Sequence, residues 1–160
     1  MAIPLRQKAA DDQAGERREP VRFSAAFAEG AARAADGRKA LQAVLARAAD
    51  VGHPPLPPSV VMDAQLVVSE LLTNAIRHAP GPCGVLLELS DAELSVTVWD
   101  TSPAEPVLRP RDAGRVGGHG LHLVHVLSHR FATASHALGK QVVARLRVPS
   151  DRTQGARPGP

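Results

Sequence analysis

The sequence predicts an α+β two-layer sandwich. Two observations favour this class. Segments with strand character and segments with helical periodicity follow one another in the order β-α-α-β-β-α-β-β, and a short polar turn joins the two central strands as in an antiparallel hairpin. Strands connected in this way form a sheet, and the helices are expected to gather on one of its faces. A chain of 160 residues is long enough to bury a core in one such domain.

The first half of the chain contains one short strand and two helices. Residues 21–25 have strand character, and an alanine-rich helix is predicted over 30–50. A proline-rich break at 53–58 separates it from a second helix, for which Ser59 is the expected N-cap. This second helix runs to about Ala79, where a Pro-Gly-Pro turn stops it.

The second half supplies four strands and one helix. Residues 84–89 and 94–99 are predicted strands on either side of the polar turn at 91–93. A long loop rich in proline, arginine and glycine follows at 101–117, and loops of this length in compact domains are functional lids or disordered segments. The last elements are a helix over 119–130 and strands over 131–135 and 141–148.

The composition narrows the function classes. Residues 1–20 and 150–160 lack hydrophobic periodicity and are expected to be disordered tails around a domain at 21–149. With one cysteine, no signal peptide and no apolar run of about 18 residues, the chain is expected to be cytoplasmic and without a membrane span. The net charge is +3, but the basic residues are scattered and only four residues are aromatic, which argues against direct nucleic-acid binding.

Glu70, Asn74 and His78 form a polar stripe along the second helix. Their spacing of four residues places them on one face, and apolar residues occupy roughly the opposite face. A solvated helix face explains such a stripe as well. The residue types favour a site, because asparagine is a weak helix former whose side-chain carbonyl binds hard metal ions, and a carboxylate one turn away can act on a hydroxyl group or water.

Two further segments carry candidate chemistry. Asp100 stands where a strand ends and the long loop begins, so it either starts an Asx turn or accepts a hydrogen bond from a ligand's amino group, such as that of adenine. The glycine-rich segment 117–121 leads directly into a helix, where backbone amides and the helix dipole favour an anion such as phosphate. A flexible hinge is the alternative. The segment is neither a P-loop nor a Rossmann fingerprint.

These three elements, in this order and spacing, resemble the N, G1 and G2 boxes of the GHKL superfamily, the ATPases related to gyrase and to sensor histidine kinases. Residues 67–79, VVSELLTNAIRHA, resemble the N box of the small bacterial anti-sigma-factor serine/threonine kinases, and 118–124, GHGLHLV, resemble their G2 box. The resemblance covers about residues 21–148. It implies a Bergerat-type ATP-binding fold, with a mixed, mostly antiparallel sheet covered on one face by about three helices.

The resemblance also implies roles for individual residues. Asn74 would coordinate Mg²⁺ that bridges the ATP phosphates, and Glu70 would be the general base toward the attacking hydroxyl group. Arg77 and Arg115 would lie near the phosphates, Asp100 would bind the adenine amino group, and the loop 101–117 would form an ATP lid. The phosphate tail would be held by the G2 box residues Gly118, His119, Gly120 and Leu121.

Three other features are less informative. Ser102 and Ala104 stand at G1-box positions that many superfamily members fill with glycine, which leaves tight adenine packing and kinase activity open. Cys83 is expected to serve packing rather than nucleophilic attack. Four histidines of the third predicted helix could bind a metal ion or sense pH, but the apolar residues opposite them favour a position in solvent. They are His119, His122, His125 and His129.

The resemblance implies an ATP-dependent anti-sigma regulator. Such a protein is a serine/threonine kinase that uses ATP and Mg²⁺ to phosphorylate a small antagonist protein and binds a sigma factor in alternation. A non-catalytic module, which binds the nucleotide and regulates transcription by sequestering a protein partner, is the alternative. The partners would be a sigma factor, an antagonist protein, or a second copy of the chain in a homodimer.

Overall fold

The computed structural model of the protein describes residues 17–79, 81–102 and 120–150. The predicted tails, apart from a few residues next to the domain, and most of the predicted lid lie outside the described residues. In the described part, the elements in chain order are β1 (Val21–Phe27), α1 (Ala34–Asp50), α2 (Pro58–His78), β2 (Cys83–Leu89), β3 (Glu93–Asp100), α3 (Gly120–Leu127), β4 (Arg130–His136) and β5 (Gly139–Arg147).

These strands form one sheet in the order β1-β2-β3-β5-β4, and all of the described pairings are antiparallel. Helix α1 packs against β1 and β2, α2 against β2, β3 and β5, and α3 against β4 and β5. The predicted α+β two-layer sandwich is confirmed.

The strand register separates a buried face of the sheet from an open face. Val96 in β3 pairs with Leu87 of β2 and with Ala144 of β5, and all three side chains are fully buried. The residues that alternate with them point to the opposite face, because successive side chains of a strand alternate. The core therefore lies between one face of the sheet and the helices.

Helix α1 begins four residues later than the sequence predicts. Gly30 has a φ of +70°, a left-handed value that forms a turn instead of a helix. The Asp36 carboxylate then accepts a hydrogen bond from the Arg33 backbone N–H at 2.8 Å, which satisfies one of the donors at the helix start. The first helical residue is Ala34.

Helix α2 is the central helix of the domain. Pro58 occupies its first turn, where a fixed φ and a missing N–H are tolerated, and Pro57 at the N-cap provides no side-chain cap. The prediction that Ser59 caps this helix is therefore wrong. By length and composition alone α2 could cross a membrane, but one of its faces packs in the core, as expected of a central helix. Its buried residues are Ala64, Val67, Val68, Leu71, Leu72 and Ala75.

Helix α3 is shorter than predicted. It ends at Leu127, because the Ser128 hydroxyl donates back to the Val124 carbonyl and the backbone N–H of His129 donates to the Arg145 carbonyl of β5. The chain thus joins the sheet at that point. The prediction that His129 continues the helical histidine stripe is therefore wrong. The five strands agree with their predicted bounds within two residues.

Candidate functional site

Three predicted site residues lie on one face of α2. Glu70 and Asn74 are half-buried and one turn apart, and Arg77 is exposed in the last turn of the helix. Because a helix advances by about 100° per residue, Arg77 returns to within about 20° of the direction of Glu70, and it lies about 10 Å further along the axis. This face is separate from the side of α2 that packs in the core.

Glu70 lies against the first residue of α3. A Cβ atom added to Gly120 would collide with Oε2 of the Glu70 carboxylate and would lie 3.1 Å from its Cδ atom. A glycine at this position therefore leaves space for the carboxylate where it stands. The contact brings together the N-box and G2-box segments, which are distant in the sequence.

The other predicted phosphate-site residues are placed as follows. Leu121 is half-buried and packs against the hydrophobic core, so its side chain supports α3. Arg115, Gly118 and His119 lie outside the described residues.

Asp100 is the last residue of β3, and only 4% of its surface is exposed. Its Oδ1 accepts a hydrogen bond from the Ser102 backbone N–H at 2.8 Å, so the Asx turn is present. Its Oδ2 lies 3.2 Å from Nζ of Lys140, which is its register partner in β5. A carboxylate offers about four lone-pair positions, so the Asx turn and a role as acceptor for a ligand are compatible.

Lys140 is a residue of this region that the sequence analysis missed. It is 3% exposed, and lysine is almost never fully buried unless it is paired. A signal was present in the sequence, because Lys140 shares its face of β5 with the buried residues Val142, Ala144 and Leu146. When a lysine occupies the first position of such a buried, alternating face, its side chain is expected to be buried too, and a buried ammonium group needs an acidic partner nearby.

Two glycines allow close approach around the end of β3. Gly139 has a φ of +145°, and a Cβ atom there would overlap the Asp100 carbonyl and lie 2.8 Å from Cα of Thr101. On the other side, Gly81 lies against the side chain of Thr101. The segment that follows α2 and the start of β5 therefore meet beside Asp100.

Cys83 pairs with Asp100 on the β2 side of the sheet and belongs to the hydrophobic core. Burial raises the pKa of the Cys83 thiol, and the nearby Asp100 carboxylate raises it further. A higher pKa leaves less thiolate, the nucleophilic form, at neutral pH. This supports a packing role for Cys83.

The histidines near α3 are dispersed. Among the described residues, no group of three or more histidine, cysteine or acidic side chains could hold a metal ion. His125 is exposed and stands edge-on to Phe131, with ring centres 6.1 Å apart. The side chain of His129 is only 21% exposed, and its Nε2 lies 3.4 Å from Oε2 of Glu93, while His122 is half-buried. Among these described histidines, the expectation of a position in solvent therefore agrees with His125.

The candidate site extends along α2. From Glu70 to Ala79, which follows the helix, the axis rises about 14 Å. The Glu70–Gly120 contact lies at one end of this stretch, and the residues beside Asp100 lie at the other. Glu70 places a carboxylate that can transfer a proton at one end, and Asp100 places a fixed hydrogen-bond acceptor at the other. This arrangement fits an elongated ligand that has a reactive group at one end and an amino group at the other.

The protein is thus an α+β sandwich domain, and its candidate site lies between the helices and one end of the sheet. The family model of the histidine kinase-like ATPase domain matches residues 27–146, well over half of the chain, and the match includes every candidate site residue. The chain belongs to the histidine kinase-like ATPase family. A search of curated proteins finds no match to it. The resemblance to the GHKL superfamily is thereby confirmed, and the anti-sigma kinase branch stays a prediction.

Proposed function

We propose that this protein binds ATP with Mg²⁺ and transfers the γ-phosphoryl group to a serine or threonine of a small antagonist protein, as an anti-sigma regulator of transcription in the cytoplasm. The observation that carries the proposal is the contact between Glu70 and Gly120, which brings a carboxylate of the N box to the G2-box glycine at which α3 begins. Family membership supports the nucleotide, because domains of this superfamily bind ATP, usually with Mg²⁺.

ATP would lie along α2, with its base at the Asp100 end. The adenine amino group can donate a hydrogen bond to the buried Asp100 carboxylate. The phosphates would lie near the start of α3, where backbone amides favour anions. The exposed Arg77 faces the same side of α2 as Glu70, but it lies about 10 Å further along the axis, so its positive charge would act on the part of the ligand between the base and the terminal phosphate. Asn74 fits Mg²⁺, because a side-chain carbonyl is a hard oxygen ligand, and the ion would neutralise phosphate charge.

Glu70 is the residue positioned for proton transfer. The hydroxyl oxygen of the substrate serine or threonine attacks the γ-phosphorus, and the bond from that phosphorus to the bridging oxygen breaks, so that ADP leaves. The hydroxyl proton passes to the Glu70 carboxylate. Positioning and charge neutralisation supply most of the rate enhancement in reactions of this kind.

A non-catalytic binding module is the second candidate. The observation that favours it is that both Asp100 oxygens already have partners, Ser102 N–H and Lys140 Nζ, so a bound base must share the carboxylate with them. Such a module would keep the fold and the nucleotide, and it would act by sequestering a sigma factor or an antagonist protein.

Thermal unfolding with and without Mg-ATP tests the nucleotide step. A ligand at 100 times its Kd adds about 2.7 kcal/mol to the free energy of unfolding, so we expect a clear rise in Tm. An unchanged Tm at millimolar Mg-ATP would overturn nucleotide binding.

Phosphoryl transfer is tested with ATP labelled at the γ-phosphate and a set of candidate antagonist proteins. We expect label on a serine or threonine, and a Glu70→Gln variant should lower the rate about 100-fold or more, because it removes the general base. Glu88→Gln is the matched control, since Glu88 pairs with Arg22 at 2.7 Å, away from the candidate site. If the parent protein binds Mg-ATP and labels none of the proteins, the result contradicts kinase activity toward them and favours the non-catalytic module.

A further inference from the structure

Lys140 and Asp100 form a buried ion pair at the base end of the candidate site. Nζ of Lys140 lies 3.2 Å from Oδ2 of Asp100, and the side chains are 3% and 4% exposed. The two residues are register partners in β5 and β3, on the face of the sheet that the helices cover. The ammonium group is therefore held in the sheet beside the carboxylate.

The two charges depend on each other. A buried ion without a partner is costly, and a carboxylate in that situation neutralises itself by taking up a proton. The ammonium group of Lys140 supplies the counter-charge, and the Ser102 N–H donates to the other oxygen at 2.8 Å. Asp100 is thus held in one orientation beside a fixed cation, and a carboxylate in this arrangement offers a ligand acceptor positions only.

The geometry points to Lys140 as a specificity-determining residue for the purine base. This inference rests on the proposed function, in which Asp100 receives the amino group at position 6 of adenine. Because Lys140 keeps Asp100 as an acceptor, the site favours a 6-amino purine, which offers a donor. It disfavours a 6-oxo purine, which presents an oxygen lone pair to the carboxylate. Lys140 acts through Asp100, so it is a positioning residue.

Loss of the lysine should change the preference and not only the affinity. Without the ammonium group, the buried carboxylate becomes a carboxylic acid, which has an O–H donor as well as an acceptor. That group can serve a 6-oxo purine and a 6-amino purine alike. A lysine with a purely structural role would instead weaken the binding of both nucleotides by the same factor.

The experiment compares the Kd values of Mg-ATP and Mg-ITP for the full chain. We expect the parent protein to bind ATP at least about tenfold more tightly than ITP, and Lys140→Met to reduce this ratio to about threefold or less. Lys39→Met is the matched control, because Lys39 forms an exposed ion pair with Asp36 at 3.4 Å. Lys140→Arg retains the cation and should restore the preference for ATP.

The outcomes separate the inference from the proposed function. A parent protein that binds neither nucleotide overturns both. A parent protein that prefers ATP, together with a Lys140→Met variant that keeps the same ratio, overturns the role of Lys140 and leaves ATP binding in place. If Lys140→Met does not fold, the double variant Asp100→Asn, Lys140→Met removes both charges and should fold, since replacement of both partners of a buried pair is often tolerated. Its ratio should also be about threefold or less, and an unchanged tenfold preference would overturn the inference.

Discussion

Replacement of Gly120 with alanine tests the contact on which the candidate site depends. The added Cβ atom would collide with the Glu70 carboxylate, whose Cδ atom would be 3.1 Å away. Gly120 is not one of the described glycines with a positive φ, so its backbone accepts alanine. The group that must move is the end of the Glu70 side chain.

Two opposing terms set the expected change in stability. Alanine is favoured over glycine in a helix by at most about 1 kcal/mol. Displacement of the Glu70 side chain from its rotamer costs about 0.5–1.5 kcal/mol. In the parent protein, Gly120→Ala should therefore change the free energy of unfolding by less than about 1 kcal/mol. In a Glu70→Ala background nothing obstructs the Cβ atom, and the same substitution should stabilise the protein.

Urea unfolding of the parent, the two single variants and the double variant measures the coupling between the positions. We expect a coupling free energy of about 0.5–1.5 kcal/mol, equal to the cost of moving Glu70. Additive effects within about 0.3 kcal/mol would refute the placement of Glu70 against Gly120. In the labelled-ATP assay, Gly120→Ala should slow phosphoryl transfer about 100-fold, because a displacement of about 1 Å of a catalytic group has effects of this size.

Three further predictions concern the core, the open face of the sheet and the cysteine. Leu87 is fully buried, so Leu87→Ala should lower the free energy of unfolding by about 2–5 kcal/mol. Leu138 is 83% exposed, so Leu138→Ala should change the free energy of unfolding by less than about 0.5 kcal/mol. Equal decreases for the two variants in urea unfolding would contradict the burial of Leu87. A Cβ atom at Gly84 would overlap the indole ring of Trp99, the single tryptophan. Gly84→Ala should therefore lower the free energy of unfolding by about 1–3 kcal/mol and shift the fluorescence emission of Trp99. An unchanged emission spectrum would argue against this packing. Because its pKa is raised in the folded state, Cys83 should react with iodoacetamide more slowly in the folded than in the urea-unfolded protein. As the pH rises above about 8.5, the thiol loses its proton in the unfolded state before it does so in the folded state, so the free energy of unfolding should decrease with pH in this range. If the free energy of unfolding of Cys83→Ala decreased with pH as steeply as that of the parent protein, this would contradict the raised pKa.

Local patterns predicted most of the elements because one face of the sheet is buried and the other is open. The alternation of Leu94, Val96 and Val98 is the direct consequence of this difference, and it identifies β3 within one residue at each end. The stripe of Glu70 and Asn74 was likewise visible, since the helical period alone places both on the face of α2 away from the core.

The features that the sequence analysis missed depend on partners that are distant along the chain. The burial of Lys140 makes sense only once β5 pairs with β3 and the Asp100 carboxylate becomes its neighbour. The end of α3 is set by the hydrogen bond from His129 to Arg145 in β5. The start of α2 is a different case, because two local preferences compete there, and proline in the first turn prevails over the serine that follows it.

The position of β5 couples completion of the sheet to completion of the candidate site. β5 follows the other described strands along the chain, yet it lies between β3 and β4 in the sheet. A nascent chain on the ribosome that has not reached β5 can pair only β1, β2 and β3, and the free edge of β3 is then open to aggregation. Lys140 arrives with the same strand, so Asp100 gains its counter-charge at the moment the edge is closed. A proteolytic cut that removes β5 would therefore expose the edge of β3 and leave the Asp100 carboxylate without its counter-charge in one event.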